Sequence, residues 1–433
     1  MNVATKRDLV SELAGVKTKS FSKADEVLRE ESISFLKQSG LPISKSEEYR
    51  FTPITRTIEK EFDSLLLDVK TALIKNIDQY LIPGLHANVL VFVNGSFVQQ
   101  LSKIVSNPDH ITIKPLSKAL AENAKAVDTI LAKKADLKKD PFSALNTAIW
   151  TEGLFVHVPE NTEVAEPLFI LHLNEGKASS HTRIVGLIET NSDVTLIERF
   201  ESTNTEASFT TIVEEIIVKE DASLNYYKIQ NDQGKAIQVC NTFIHQSDRS
   251  HVNTFTLTMN GQLIRNNLNI AIDGENCESH FHGLYILNGN TLGDNHTVVD
   301  HLKPNSFSNE LYKGVMDGSS KGVFNGKIYV RPHAQKTNAF QSNRNVLLTD
   351  TATINTKPQL EIWADDVKCS HGCTSGQLDE EALFYLQSRG IGKEAARAML
   401  LYAFALEALE TIKDENLKTY FDHLIGERLH KNF

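Results

Sequence analysis

Cysteine is scarce in this chain: Cys240, Cys277, Cys369 and Cys373 are the only four among 433 residues. A secreted disulfide framework of this size would carry more, so the thiols read as free, in a reducing, cytoplasmic compartment. The first twenty residues, MNVATKRDLVSELAGVKTKS, lack the continuous apolar stretch of a secretory leader. Long hydrophobic runs are missing too. The best candidate for a membrane span, residues 395–409, is shorter than the ~20 residues a crossing requires. Lys393, Glu394, Arg397, Glu407 and Glu410 bracket or interrupt it, so it reads as a buried helix of a soluble protein. There is no excess of positive charge. Lys and Arg number 45 against 55 Asp and Glu, for a formal net charge of −10. A general nucleic-acid binder needs a basic surface to displace phosphate counterions, and that class is disfavoured.

Familiar catalytic signatures are also lacking. GVFNGKI, residues 322–328, resembles a phosphate loop, but its spacing is one residue short, Ile328 stands where Ser or Thr is needed, and strand signals follow. No G-x-S-x-G elbow opens a helix, and no H-E-x-x-H occurs. The pattern predicts neither an intrinsic ATPase nor a hydrolase.

What is present is a change of periodicity along the chain. At 433 residues, two or three structural units are expected. Residues 1–85 read as mainly helical. FSKADEVLREESISFLKQSGLP has helical spacing of Val27, Leu28, Ile33, Phe35 and Leu36, then Gly40 and Pro42 as stops. A first strand at 87–93 ends in an Asn94-Gly95 turn. Residues 86–355 form the predicted β core, with a helical insert near 116–140. From 153 to 350, short β-branched runs alternate with polar turns, and Asp193, Asp221, Asp248 and Glu275 recur about every 27 residues. That period favours a parallel β-helix over an antiparallel sandwich. Residues 356–433 read as helical again, with helices near 379–389, 393–412 and 415–430. Asp379 caps the first, and Gly390 ends it.

Several clusters carry soft metal ligands. Cys369, His371 and Cys373 spell C-x-H-x-C, read as a reactive loop ahead of that helix; thiolate and imidazole suit zinc, iron–sulfur species and Cu(I). Three ligands this close need a fourth from elsewhere, and a buried cysteine is often merely a small apolar side chain. Cys277, His280 and His282 make a second cluster. On a strand the two histidines share a face, while Cys277 points away, so a joint site is disfavoured. His296, His301 and His333 are scattered and read as structural. Asp365 and Asp366 diverge on an extended chain and read as corner groups rather than an acid/base pair.

The stretch from 358 to 391, PQLEIWADDVKCSHGCTSGQLDEEALFYLQSRGI, resembles the carboxy-terminal core of the SufB/SufD proteins, scaffold subunits of the SUF iron–sulfur cluster assembly system. The D-D-V-K-C-S-H-G form at 365–372 looks like the SufD branch. Residues 311–350 resemble the preceding core, 142–170 the start of that domain, and SEEYRFTP at 46–53 the amino-terminal element. The resemblance implies a mainly β fold, a right-handed parallel β-helix solenoid core between amino- and carboxy-terminal helical regions. It implies a non-enzymatic scaffold with a SufB-like subunit and a SufC-like ATPase as partners. His371 and Cys369 match the motif residues at the subunit interface where a transient iron–sulfur cluster forms. Cys373 departs from the more usual H-G-A-T, which has Ala there. Phe384, Tyr385, Arg389 and Met399 fall in the region that engages the ATPase. No cofactor held tightly by the isolated chain is implied; a reduced flavin in the complex and a homodimer of the isolated chain are compatible with it. The alternatives are a carbohydrate-active β-helix enzyme, which would need carboxylates grouped on one face, and the cluster-bearing paralogue SufB, against which chain length, few cysteines and C-S-H-G speak.

Overall fold

A chain that turns the same corner in every coil needs, once per coil, a residue that tolerates left-handed backbone. Asn161, Asn191, Asp221, Arg249, Asn276, Asn305 and Lys336 all have φ between +55° and +65°. Their spacing is one coil of a solenoid. Asn and Asp suit such corners because a short polar side chain bonds nearby backbone. Arg249 is secured by its Nε, 2.8 Å from Asp221 Oδ1 on the preceding corner. The recurring acidic residues seen in the sequence lie at or beside these corners.

The structure, a computed structural model, describes residues 9–13, 20–66, 74–122 and 125–431. Between the corners run two parallel sheets, one of ten strands and one of nine, whose neighbours are one coil apart in sequence. They form a mainly β, parallel solenoid of about eight turns. The parallel strands of the ten-stranded sheet run from Asn88–Val93 through Leu168–Asn174 to Lys368–Gly376, and those of the nine-stranded sheet from Glu152–Val158 to Thr353–Ile362. Among the described residues, antiparallel pairing occurs only at the amino-terminal edge. There Asn88–Val93 pairs with Ser96–Phe97 around Asn94 and Gly95, both at positive φ, and Thr112–Pro115 pairs with Glu152–Val158.

The interior between the sheets of the early coils is largely apolar, with Leu154, Ile170, Ile184, Leu196, Phe200 and Ile212 among its buried residues, around a buried ionisable cluster of His172, Glu198, Glu214 and Lys228. Helices cover both outer faces. On the nine-stranded sheet, Phe62 and Leu65 pack with Phe209, Val239 and Leu263. The amino-terminal helix Lys23–Ser39, capped by Ser22, is pinned by buried Arg29, whose Nη2 donates to Trp150 O at 3.0 Å. On the ten-stranded sheet, Leu401, Leu409, Phe421 and Ile425 from the last two helices pack on Tyr227, Phe255 and Leu284. The insert contains helices Leu116–Ala121 and Lys125–Ile130. A further helix, Pro141–Ile149, is buried from Phe142 to Ile149.

Two features depart from expectation. The strands do not stop at 355: Thr353–Ile362 and Lys368–Gly376 add a last coil, and helix resumes only at Glu380. Within that coil, Cys369–Cys373 is strand rather than a loop. Ser370, Gly372, Ser375 and Gly376 are poor strand formers, but pairing with Asn338–Leu347 in register with every earlier coil overrides that preference.

Candidate functional site

The last coil is where the solenoid is left open. Lys368–Gly376 pairs with Asn338–Leu347 on one side only and ends the ten-stranded sheet; Thr353–Ile362 likewise ends the other sheet. Side chains alternate along a strand, so Cys369, His371 and Cys373 share one face. Register fixes which face. The three pair with Ala339, Gln341 and Asn343, all buried and facing inward, and Cys369 packs against the interior cluster. His371 and Cys373 are nevertheless exposed, and Cys369 is half-buried. Burial pushes the Cys369 thiol above its ordinary value, which disfavours its thiolate in the isolated chain. The same strand direction that hides Gln341 thus presents His371 at an uncovered end.

Behind His371 the interior turns polar. Glu310, Gln341 and His371 occupy one inward column on three successive coils. Gln341 Nε2 donates to Glu310 Oε2 at 2.6 Å, and burial pushes the Glu310 carboxyl up to about 7. Neither Glu310 nor Gln341 stood out in the sequence. The available signal was their spacing: each lies one solenoid period before the next member of the column.

The other candidate clusters disperse. His280 and His282 share the outer face of Glu278–Leu287, but His280 Nε2 lies 2.9 Å from Glu278 Oε1, while His282 Nδ1 is 3.2 Å from Ala408 O beneath the carboxy-terminal helices. Burial pushes His282 down to about 4. Cys277 is buried at a corner with its Sγ 3.1 Å from Ser247 O. Among the described residues, no three His, Cys, Asp or Glu side chains are grouped to hold a metal ion. His296 sits between Asp294 and Glu48, His301 is buried against Ser308 Oγ at 2.8 Å, and His333 is exposed. Asp365 and Asp366 occupy the last corner, where Asp366 N donates to Gln335 Oε1 at 2.9 Å. Residues 322–328 lie within strand Lys321–Val330. The G-x-S-x-G spelling at 318–322 is another corner: Gly318 has φ +63° and a strand follows, not a helix.

Of the expected partner-binding residues, Phe384 and Tyr385 lie on the first carboxy-terminal helix, Glu380–Ser388, and Arg389 follows it. Asp379 caps it by accepting from Glu381 N and Ala382 N, and Gly390 follows at φ +89°. None of its residues is buried; Phe384 is 72% and Tyr385 57% exposed. The next helix, Lys393–Leu406, buries Ala396, Ala398, Leu401 and Ala405 and leaves Met399 48% exposed. Arg389 is exposed at the helix end, with its guanidinium 5.2 Å from the Tyr385 ring centre. These four side chains are thus exposed on two consecutive helices and the turn between them. No helix among the described residues is long and apolar enough to cross a membrane.

Comparison with known proteins agrees with this architecture. The family model described as SUF system FeS cluster assembly, SufBD core domain, matches residues 170–404, and that of the SufBD protein N-terminal region matches residues 8–170. An iron–sulfur cluster assembly SufBD family protein of Synechocystis is 33% identical over 398 residues, 89% of this chain and 86% of that one. The iron–sulfur cluster assembly protein SufD of Escherichia coli is 30% identical over 404 residues, 91% and 90% of the two chains. The SufD of Bacillus subtilis is 29% identical over 295 residues, 64% of each. With two adjoining family models spanning its helical start and its solenoid, the chain belongs to the SufB/SufD family of SUF iron–sulfur cluster assembly proteins.

Proposed function

We propose that the chain is a SufD-like, non-catalytic scaffold subunit of a cytoplasmic SufB–SufC–SufD-type complex, supporting cluster assembly and iron acquisition where its open end meets a SufB-like subunit. The observation that carries this reading is the uncovered last coil. Edge strands present rows of unpaired N–H and C=O groups, a template for strands of another chain. Here both sheets end in such an edge, and His371 stands on one of them. A neutral imidazole ligates iron, with the half-buried Cys369 behind it and the remaining ligands supplied by the partner. The nascent cluster is cargo of this interface. The same edge suits a homodimer when the partner is missing.

The exposed helix Glu380–Ser388 is the proposed docking surface for a SufC-like ATPase. Two exposed aromatics beside an arginine have the composition of interface hot spots. The helices that follow are packed on the solenoid, and Lys313 Nζ on the outer sheet donates to Phe404 O at 2.7 Å, so movement at the docking helix has a mechanical route to the sheet. Anaerobic co-purification with SufB- and SufC-like chains, with iron, sulfide and flavin quantified, tests the reading. A ternary complex whose iron and sulfide depend on His371 is expected. Failure to bind either partner, or cluster loading indifferent to His371, would sink it.

A further inference from the structure

We infer that Gln341, anchored by Glu310, is a positioning residue that fixes the ring tautomer of His371. The inference rests on His371 being the ligand on the open edge. It starts from the column Glu310–Gln341–His371, one residue from each of the last three strands of the ten-stranded sheet, in direct register. Glu310 and Gln341 are almost completely buried, at 1% and 3% exposure. Gln341 Nε2 is committed to Glu310 Oε2 at 2.6 Å. That contact leaves Gln341 Oε1 as a buried acceptor with no hydrogen-bond partner among the described residues. A buried, unpartnered amide oxygen is costly and calls for an explanation.

The opposite sheet makes room for this amide. Gly326 faces it across the interior, and a Cβ there would come within 2.2 Å of Gln341 Nε2 and 2.9 Å of its Oε1. The next residue in the column is His371, about 4.8 Å away along the strand-pairing direction. The two are not bonded in this structure, but a rotation of the exposed His371 side chain would bring a ring N–H, the donor that Gln341 Oε1 lacks, toward it. Once one ring nitrogen donates to Gln341, it carries the proton, and the other keeps its lone pair for an incoming metal. Metal-binding histidines are generally oriented this way by a hydrogen bond at the second nitrogen.

The test uses the full chain with histidine labelled by 15N, and reads the His371 ring nitrogens in long-range proton–nitrogen spectra, assigned by comparison with His371→Asn. The wild type should show one dominant tautomer. Gln341→Met, similar in length but without an acceptor, should convert His371 to a mixture, and Gly326→Ala should do the same with Gln341 still present. Glu310→Gln retains an acceptor for Gln341 Nε2 and should preserve the single tautomer, whereas Glu310→Leu should lose it. Iron retained by the ternary complex should fall several-fold in the variants that lose the tautomer. An unchanged His371 pattern in both Gln341→Met and Gly326→Ala, with circular dichroism as for wild type, overturns the inference. Should His371→Ala leave iron and sulfide intact, the ligand reading fails instead, and the tautomer spectra still decide the positioning question.

Discussion

At the scale of single residues, one strand separates two roles that look alike in the sequence. His371 and Cys373 share a face and are both exposed, yet only His371 continues the Glu310–Gln341 column; Cys373 pairs with Asn343. His371→Ala should leave the fold and the SufB-type complex intact and lower iron and sulfide on reconstitution several-fold. Cys373→Ala should change them little, since Cys373 lies outside that column. A variant pair in which Cys373 is needed and His371 is not would point to a thiolate-based site. A different kind of residue holds the insert to the sheet. Arg183 and Glu215 are fully buried and 2.8 Å apart. Glu215 also accepts from the backbone of Ala132, Lys134 and Ala135 at 2.8–3.1 Å. Glu215→Ala strands a buried guanidinium and three amides, and urea unfolding should show a loss of about 3–5 kcal/mol.

At the scale of elements, the helix Glu380–Ser388 is well capped but buries none of its residues, so its stability and its use are separable. Phe384→Ala and Arg389→Glu should each change the unfolding free energy by less than ~0.5 kcal/mol, as exposed substitutions do. Each should weaken SufC-type binding by on the order of tenfold or more, as expected of aromatic and arginine anchors. Calorimetric titration of the intact chain with the ATPase checks this, and unaltered affinity in both variants removes the docking assignment. This helix was readable in the sequence because its signals are local: Asp379, the acidic first turn and Gly390 all act within a few residues. The corners were readable for the same reason, since left-handed backbone selects Asn and Asp. Pro141–Ile149 was not, because a helix buried on every side shows no amphipathic stripe. The last coil was missed for the opposite reason. Its Ser and Gly residues carry no strand signal, and only the coil before it imposes the strand.

At the scale of the whole molecule, the solenoid interior buries ionisable groups that sequence periodicity cannot reveal, because facing coils lie a period apart. His172 Nε2 lies 3.0 Å from Glu198 Oε1, and Lys228 Nζ lies 3.1 Å from Glu214 Oε1. The His172–Glu198 contact has the geometry of an ion pair, but burial pushes His172 down to about 3, so it is a neutral imidazole donating to a carboxylate. Burial, reinforced by Glu198, pushes Glu214 up to about 8. Burial likewise raises Asp232 to about 6 and Glu310 to about 7, and lowers His181, His282 and His301 to about 4. These shifts set opposite slopes. The depressed histidines contribute stability that is complete above their unfolded value near 6.5 and is lost as pH falls toward 4. The raised carboxyls contribute stability that is complete below about 4.5 and is lost as pH rises through their folded values, lastly that of Glu214. Above pH 6.5 the histidine contribution no longer grows while Glu310 and Glu214 continue to lose protons. Thermal stability should therefore peak near pH 6.5 and decline toward pH 8. Glu214→Gln, which is neutral at every pH, should flatten that alkaline decline while leaving the acid limb in place. A melting temperature that rises from pH 6.5 to 8, or an alkaline decline that Glu214→Gln leaves unchanged, would show that the buried carboxyls do not govern it.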